Sequence, residues 1–300
     1  MIIILSPAKT LQIPLPQSLL LTKQVVLSTT QTINKNQNNN QNNKQEQEEK
    51  QSMMHELLLK ELREMTQSQL QKTLGVSEAI ARENKERYLK WNEQKQYPSA
   101  FTFDGPAYKA LDCKSMTVQE LAYLQKHLRI IDPLHGLLKP LDLIKQYRLE
   151  MSTKNLKATE STASSLAKFW STLMTEQIIN DLKDEPKPER FVLDLASEEY
   201  SKAIDKKLLE ANDVGYFRMI IEGATYDGKH GRGCAARFCA TSKAKTREDL
   251  IKFTGDDNAG KLWKFNQSSN KTVEGKSICF SFHNKKSDGG PATKKKHKTK

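Results

Sequence analysis

The chain begins with a run of four apolar residues, Ile2 to Leu5, and this run limits what the rest of the chain can be. A short, β-branched run that ends at a Ser-Pro pair is typical of a β-strand. Such a strand is stable only when later strands pair with it. A segment from Gln31 to Gln47 follows, in which 12 of 17 residues are Asn or Gln, and it cannot bury enough apolar surface to fold alone. We therefore predict a low-complexity loop inserted within one domain rather than a linker between two.

Helical and strand patterns are interspersed along the rest of the chain without a regular βαβ order. Met54, Leu58, Leu62 and Met65 recur at the spacing of one helix face. Further helices are predicted at 68–74, 78–94, 117–127, 165–183 and 247–253, and strands at 191–195, 216–221, 261–265 and 278–282. The pattern predicts a single mixed domain of the α/β or α+β class that covers residues 1–283.

Half of the net positive charge lies at the end of the sequence. The chain has a formal charge of +12, and the segment from Asn284 to Lys300 holds seven lysines and one aspartate, a net of +6. A block of like charge is typically disordered, so we predict a disordered basic tail at 284–300. Its lysines fit a nuclear-import signal, a non-specific clamp for polyanions, or a solvated tail with no specific role. The remaining charge permits a nucleic-acid surface without requiring one.

Several classes of protein are excluded by their missing signatures. No stretch approaches the roughly 20 apolar residues of a bilayer span, and no basic segment precedes Ile2, so we expect neither a membrane protein nor a secretory signal. The four cysteines are scattered and lack zinc-ligand spacing, which favours reduced thiols in the cytoplasm, with the nucleus as an alternative through the tail. The six histidines are isolated, and phosphate-loop and GxSxG motifs are absent. We therefore expect no metal and no cofactor.

Residues 70–91 resemble two helices joined by a tight turn at Gly75, Val76 and Ser77. In a helix-hairpin-helix element, the turn amides and a helix N-terminus contact a DNA phosphate. Ser77 stands where a second glycine is usual, and Glu78 places a negative charge beside it, which opposes this interpretation. An ordinary helical hairpin packed on the core is the alternative.

A second group of charged residues lies between 137 and 151, where ionic and apolar residues alternate without a clean period. Arg148 stands close to Glu150 in this segment, which suggests partly buried charges that need partners. Such pairs are either structural or line a cleft in which a cation meets an anionic ligand. The residues alone leave both interpretations open.

Five short blocks in this sequence form a recognisable series. They are Ile4 to Leu11 (ILSPAKTL), Phe103-x-Gly105-x-x-Tyr108, Pro140-Leu141-Asp142 followed by Tyr147 to Met151 (YRLEM), Leu195 to Tyr200 (LASEEY), and Arg232-Gly233 followed by Arg237-Phe238. In this order the blocks resemble the YaaA peroxide-stress protein family. The resemblance covers nearly the whole chain apart from the Asn/Gln-rich insertion and the tail.

The resemblance implies a single-domain α/β fold with a basic cleft and a helix-hairpin-helix element. It also implies DNA binding in the cytosol and a role in limiting oxidative damage when peroxide and iron are present, with no settled catalytic activity. Some positions depart from the family pattern: Asp132 and Asp194 add negative charge, and Lys139 replaces an arginine, which loses bidentate phosphate recognition. A divergent member with a weaker or different cleft ligand is the expectation.

Two functions from different classes fit these observations. The first is a DNA-binding protein of the peroxide-stress response, which holds the phosphate backbone without reading sequence. Its predicted contacts are Lys9, Arg148, Arg232 and Arg237 in a cleft, with Gly75, Val76 and Ser77 at the hairpin. The second is an enzyme acting on a small anionic or nucleotide-like substrate in the same cleft, with Glu150 or Glu199 as general acid or base. Both require that side chains from separate blocks meet, and we predict that Lys9, Arg148 and Arg237 share one concavity.

Overall fold

The computed structural model of the chain describes residues 1–33, 41–160, 165–221, 225–256, 261–266, 272–273 and 277–284. The helices in these ranges are α1 (Pro16–Ile33), α2 (Gln41–Glu64), α3 (Gln67–Leu74), α4 (Glu78–Leu89), α5 (Ser99–Thr102), α6 (Pro106–Leu111), α7 (Val118–His127), α8 (Lys157–Glu160), α9 (Leu166–Leu182), α10 (Glu198–Ser201), α11 (Lys206–Ala211), α12 (Thr225–Ser242) and α13 (Arg247–Leu250). The strands are β1 (Ile2–Leu5), β2 (Tyr97–Pro98), β3 (Leu128–Asp132), β4 (Gly136–Leu138), β5 (Leu143–Ile144), β6 (Phe191–Asp194), β7 (Gly215–Ile221), β8 (Gly255–Asp256), β9 (Lys261–Asn266), β10 (Thr272–Val273) and β11 (Ser277–Asn284). The predicted tail beyond Asn284 lies outside the described residues.

A mostly parallel sheet lies at the centre of the molecule. Within the described ranges it has nine strands in the order β4-β3-β1-β6-β7-β11-β9-β8, with β10 beside β11. The five strands β3, β1, β6, β7 and β11 run parallel to one another. The chain moves from β1 to β3 on one side and then crosses to β6 on the other side of β1. In parallel sheets such a change of direction opens a crevice at the carboxyl ends of the strands.

Both faces of the sheet are covered, which explains the continuous apolar character of β1. Ile3 and Leu5 pack in a cluster that includes residues of α6, α7 and α12, whereas Ile2 and Ile4 pack in a second cluster with α2 and α9. A strand buried on both faces needs no polar alternation. The expectation of a single mixed α/β domain is confirmed.

The Asn/Gln-rich insertion differs from the loop that we predicted. α1 reaches Ile33 and α2 starts at Gln41, so helix occupies 31–33 and 41–47, while 34–40 lies outside the described residues. Gln, Glu and Lys are good helix formers. The side chains of Lys44 and Glu48 lie 3.8 Å apart at a spacing of four residues, which supports the helix locally. Low apolar content argues against a core but not against an exposed helix, and this distinction explains the error.

Helix α12 was not predicted because glycines interrupt its pattern. Gly228, Gly231 and Gly233 all lie inside it, and each glycine weakens a helix by about 1 kcal/mol relative to alanine. At Gly233 the small residue is required by packing, since a Cβ there would lie 1.9 Å from the carbonyl oxygen of Ala107 in α6. α12 therefore rests directly on the backbone of α6, and its first turns follow closely after the carboxyl end of β7.

The predicted turn between α3 and α4 is present. Gly75 adopts a left-handed conformation with φ of 62°, and its N–H donates to the last carbonyls of α3. Ser77 caps α4 by accepting from the Ile80 amide at 3.4 Å. α4 ends at Leu89, earlier than predicted, and a short 3-10 turn at Trp91–Glu93 follows it. No helix in the described part of the chain is both long and apolar enough to cross a membrane.

Candidate functional site

The loop after β1 carries Lys9 and is fixed by its neighbours. The Gln12 amide donates to the Thr102 carbonyl and the Asp104 amide donates to the Thr10 carbonyl, both at 2.8 Å. These two backbone bonds, made by residues 10 and 12, tie the end of the loop to residues 102–104. The Lys9 side chain itself remains 60% exposed. A rigid backbone therefore presents a cation to solvent at the carboxyl end of β1.

Lys9 and Arg148 both pair with the carboxylate of Glu150. These two side chains therefore lie together, as we predicted for them. Lys9 Nζ lies 2.5 Å from Glu150 Oε2, and Arg148 Nη2 lies 2.6 Å from Glu150 Oε1. Arg148 Nη1 also donates to the Lys9 carbonyl at 3.2 Å. The backbone of Arg148 is anchored from α4, because the Tyr88 hydroxyl donates to its carbonyl at 2.6 Å. Residues far apart in sequence thus form one cationic group, which we call the Lys9 group (Lys9, Arg148 and Glu150).

The ionisation of Glu150 is set by this group. Burial by itself would raise the pKa of the carboxyl, but the hydrogen bonds from Lys9 and Arg148 outweigh it and lower the pKa. A carboxylate held by two cations is a weak proton acceptor near neutral pH. Glu199, the other acid or base that we considered, accepts a hydrogen bond from the Ser152 amide at 2.7 Å. Glu150 is thus better suited to hold the two cations than to transfer protons.

A second charged group lies at the carboxyl end of β6. Asp194 is fully buried, and its oxygens accept from the Ala196 amide at 2.8 Å, the Ser201 hydroxyl at 2.7 Å and the Tyr216 hydroxyl at 2.6 Å. Arg218 of β7 approaches the same carboxylate only to 3.8 Å. Asp194 therefore acts mainly as an anchor for neighbouring backbone and hydroxyl groups, and Arg218 is loosely paired.

Two serines connect the ends of β1 and β6. The Ser197 amide donates to Ser6 Oγ at 2.8 Å, and the two hydroxyl oxygens lie 3.4 Å apart. The Tyr108 hydroxyl donates to the Ser6 carbonyl at 3.0 Å and fixes this end of the loop against α6. The Ser6 hydroxyl donates to Ser197 Oγ, so of this pair the Ser197 hydroxyl keeps its proton for a further acceptor at the carboxyl ends of β1 and β6.

Arg232 of α12 lies within the electrostatic influence of Asp194 and Arg218. Its side chain is half-buried, and loss of water lowers the pKa of its guanidinium, with the positive charge of Arg218 acting in the same direction and Asp194 opposing. Within the described residues the Arg232 guanidinium makes no hydrogen bond and no ion pair. Its charge is therefore poorly compensated by this part of the protein.

The guanidinium of Arg237 is held by the end of α6. Its Nη1 donates to the carbonyls of Leu111 and Asp112, each at 3.0 Å, and its Nη2 donates to Ser115 Oγ at 2.9 Å. These carbonyls belong to the end of α6, where backbone acceptors lack helical partners. The described bonds of Arg237 hold α6, and none of them joins the Lys9 group, so a concavity shared by Arg237 with Lys9 and Arg148 stays a prediction.

The turn at Gly75, Val76 and Ser77 lies at the far end of α4 from the Lys9 group. Tyr88, which holds the Arg148 carbonyl, is ten residues beyond Glu78, a separation of about 15 Å at a rise of 1.5 Å per residue. Gly75 is open, with no atom within 4 Å of a Cβ placed there. The turn and the Lys9 group are thus two sites linked by one helix.

The family model described as "Peroxide stress protein YaaA" matches residues 1–261 of this chain. The chain belongs to the YaaA peroxide stress protein family. A UPF0246 protein of Aliivibrio fischeri strain MJ11 is 31% identical over 271 residues, which cover 85% of this chain and 91% of the relative. A UPF0246 protein of Pseudoalteromonas translucida is 32% identical over 212 residues, 66% of this chain and 78% of the relative.

In this YaaA family member, part of the site lies in the blocks that carried the resemblance and part does not. Ser6 and Ser197 belong to the first and fourth blocks, although the sequence gave no reason to select them over their neighbours. Arg218 was missed. Its signal is a basic residue in the otherwise apolar strand Tyr216–Ile221, a position where a charge needs a partner or a ligand.

Two of the described thiols of this family member, those of Cys113 and Cys239, are poorly suited to react with peroxide. Burial raises the pKa of Cys113 and of Cys239 to about 12 in each case. Peroxide is attacked by the thiolate rather than by the thiol, so both cysteines are chemically quiet. Among the described residues, no group of three or more His, Cys, Asp or Glu side chains is placed to hold a metal ion.

Proposed function

We propose that this chain is a DNA-binding protein of the peroxide-stress response that holds the phosphate backbone without reading sequence. The observation that carries the proposal is the set of cations around the carboxyl ends of β1 and β6, namely Lys9, Arg148, Arg218 and Arg232. Three carboxylates, those of Glu150, Glu199 and Asp194, lie beside these four cations, which leaves an excess of one positive charge. Such an excess attracts phosphates whatever the base sequence.

The helical turn supplies a second phosphate contact in this proposal. Ser77 occupies one amide at the start of α4, which leaves neighbouring amides for a phosphate oxygen. Lys72 and Arg82 are exposed near the turn, whereas Lys85 is committed to the carbonyls of Arg63 and Met65 at 2.6 Å. Glu78 opposes an anion here, so we assign the turn a smaller share of the affinity than the strand ends.

The spacing of the two contacts suits a duplex. α4 separates them by about 15 Å, and half a turn of B-DNA is about 17 Å long. One face of a duplex therefore presents phosphates to both places at once. Two weak contacts on a single ligand reinforce each other when both can be engaged together.

The test is the salt dependence of duplex binding, measured by fluorescence anisotropy. The tail has a net charge of +6, which would attract DNA whatever the folded domain does. The background chain therefore carries Gln in place of Lys285, Lys286, Lys294, Lys295, Lys296, Lys298 and Lys300. On this background, Arg148→Ala should weaken binding and make the salt slope shallower by about one unit. Lys187→Ala is the matched control, since Lys187 is an exposed cation that precedes β6 at the other end of the sheet and pairs with Asp213.

The proposal fails if neutralising the tail abolishes duplex binding altogether. It also fails if Arg148→Ala and Lys187→Ala change the salt slope equally, because the carboxyl ends would then be no special contact.

A second candidate function is an enzyme acting on a small anionic or nucleotide-like substrate at the same strand ends. The half-burial of Arg232 beside Arg218 favours it, because a recessed cation suits a small ligand better than an exposed one does. In that case Lys9 and Arg148 act as electrostatic clamps, and Glu199 is the better placed candidate for proton transfer, since Glu150 is held by two cations.

A further inference from the structure

The described residues do not fully compensate the hydration that the Arg232 guanidinium loses on burial. A half-buried guanidinium loses part of its hydration, and it is stable only where an anion or hydrogen-bond acceptors replace that water. The negative charge that acts on it is that of Asp194, whose oxygens already accept three hydrogen bonds. Arg218 adds a second positive charge and raises the cost of leaving Arg232 uncompensated.

Several hydrogen-bond donors share this end of the sheet. Arg218 and Arg232 each carry a fork of N–H groups that matches two oxygens of a phosphate. Ser6 and Ser197 add hydroxyl groups at the ends of β1 and β6. In addition, Arg148 Nε is buried and has no hydrogen-bond partner within the described part of the chain. A ligand that satisfies these donors together carries negative charge and several acceptor oxygens.

The recessed position of Arg232 narrows the class of ligand. The phosphodiesters of an intact duplex carry one charge each and lie along its convex outside, so they reach exposed cations such as Lys9 more readily than half-buried ones. A phosphomonoester protrudes on a single bond, carries up to two charges and offers three terminal oxygens. We propose that Ser6, Ser197, Arg218 and Arg232 form a binding subsite for a phosphomonoester group.

The subsite extends the proposed function. It rests on that function, because both place the bound phosphate at the strand ends. The phosphomonoester has two sources of the same chemistry: a free small molecule, or the terminal phosphate of a DNA strand at a nick or gap. Intact duplex binding relies mainly on the exposed Lys9, on Arg148 and on the helical turn, and Arg218 and Arg232 contribute to it only through their charge. Phosphomonoester binding can therefore fail while intact duplex still binds, and the reverse.

The first experiment is calorimetric titration of the full-length chain with inorganic phosphate at constant ionic strength. Arg232→Gln should weaken phosphate binding by about tenfold or more, as expected for the loss of a charged hydrogen-bond donor. Arg237→Gln is the matched control, because it removes the same chemistry from the same helix without touching the subsite. Arg218→Gln provides an independent second variant in case Arg232→Gln fails to fold. Circular dichroism establishes folding for each variant.

The second experiment compares gapped duplexes that differ only in a 5′-phosphate or a 5′-hydroxyl. A preference for the phosphorylated gap that disappears in Arg232→Gln supports the subsite and assigns a DNA end as its source. Phosphate binding that depends on Arg232 without such a preference supports the subsite and assigns a free small molecule. Phosphate binding that is absent from the wild-type chain, or equal in wild type, Arg232→Gln and Arg218→Gln, overturns the inference, even where intact duplex still binds.

Discussion

Arg232 and Arg237 lie on the same helix, α12, and meet opposite surroundings. Arg237 donates three hydrogen bonds of 2.9–3.0 Å to the end of α6 and its following turn. Arg232 is half-buried, the charge of Arg218 acts against its own charge, and the Asp194 carboxylate that opposes this effect already accepts three hydrogen bonds. The same side chain is thus a structural cap at one position and an available cation at the other. The difference shows that an arginine in a family block acquires its role from the backbone groups it faces.

The largest expected loss of stability comes from displacing α12, the helix that carries both arginines. Gly233→Ala places a Cβ 1.9 Å from the Ala107 carbonyl oxygen, so α12 must shift away from α6. We expect a loss of about 3 kcal/mol in the free energy of unfolding, measured by urea denaturation. Gly228→Ala is the control, because its nearest atom would be the Ile221 carbonyl oxygen at 3.5 Å, an ordinary contact. Equal stability of the two variants would show that α12 does not depend on close contact with α6.

Separate removal of the two arginines should split stability from binding. Arg237→Ala leaves the carbonyls of Leu111 and Asp112 without their donor, and we expect a loss of about 1–2 kcal/mol in unfolding free energy with unchanged phosphate affinity. Arg232→Ala removes a poorly compensated charge, so we expect a change below about 0.5 kcal/mol and a loss of phosphate affinity. Thermal unfolding measures the stability of the two variants, and calorimetric titration measures their phosphate affinity. A reversed pattern would contradict the assignment of the two roles.

Substitutions of Gly75 in the helical turn should change stability only through the backbone conformation. Gly75 has φ of 62° with open space around it, so Gly75→Ala meets no steric clash and pays only for the left-handed conformation. We expect a loss of about 1 kcal/mol in unfolding free energy. Gly75→Asn should be milder, because asparagine tolerates this conformation better than alanine. If alanine and asparagine are equally harmful, the strain explanation is wrong.

The smallest effect concerns Glu150 and depends on pH. Its pKa in the folded chain lies below the ordinary value of 4.5, so the ion pairs contribute stability above that value and lose it as pH falls through the folded pKa. Glu150→Gln should therefore be less stable than wild type at pH 7, by less than about 1 kcal/mol because Lys9 is exposed. The difference should shrink below pH 4.5. The variant should also bind phosphate more tightly, since Lys9 and Arg148 lose their counter-ion, and weaker binding would contradict this role.

Local features of the sequence predicted much of the fold. Ile2 to Leu5 form the predicted strand, and Leu58 and Leu62 are buried on the predicted helix face. Each of these features depends on neighbours within one element. The order of the strands does not, because the pairing of β1 with both β3 and β6 joins segments separated by more than a hundred residues.

The site was predictable only where sequence blocks marked it. Lys9, Arg148 and Glu150 were selected from such blocks, and they do meet. Arg237 was selected in the same way, but no sequence pattern shows that the end of α6 presents carbonyls to it. Arg218 was overlooked because a single charge in an apolar strand gains meaning only when the carboxyl ends of β1 and β6 are known to adjoin it.

Hydrogen–deuterium exchange of the full-length chain, with and without duplex DNA, tests the central claim most directly. The strand-end site predicts slower exchange on binding in 6–9, 148–152 and 196–201, with a smaller effect at 75–80 and no change at the end of α6 around 111–115. Slower exchange confined to 284–300, or absent from all three strand-end segments while DNA is bound, would contradict it.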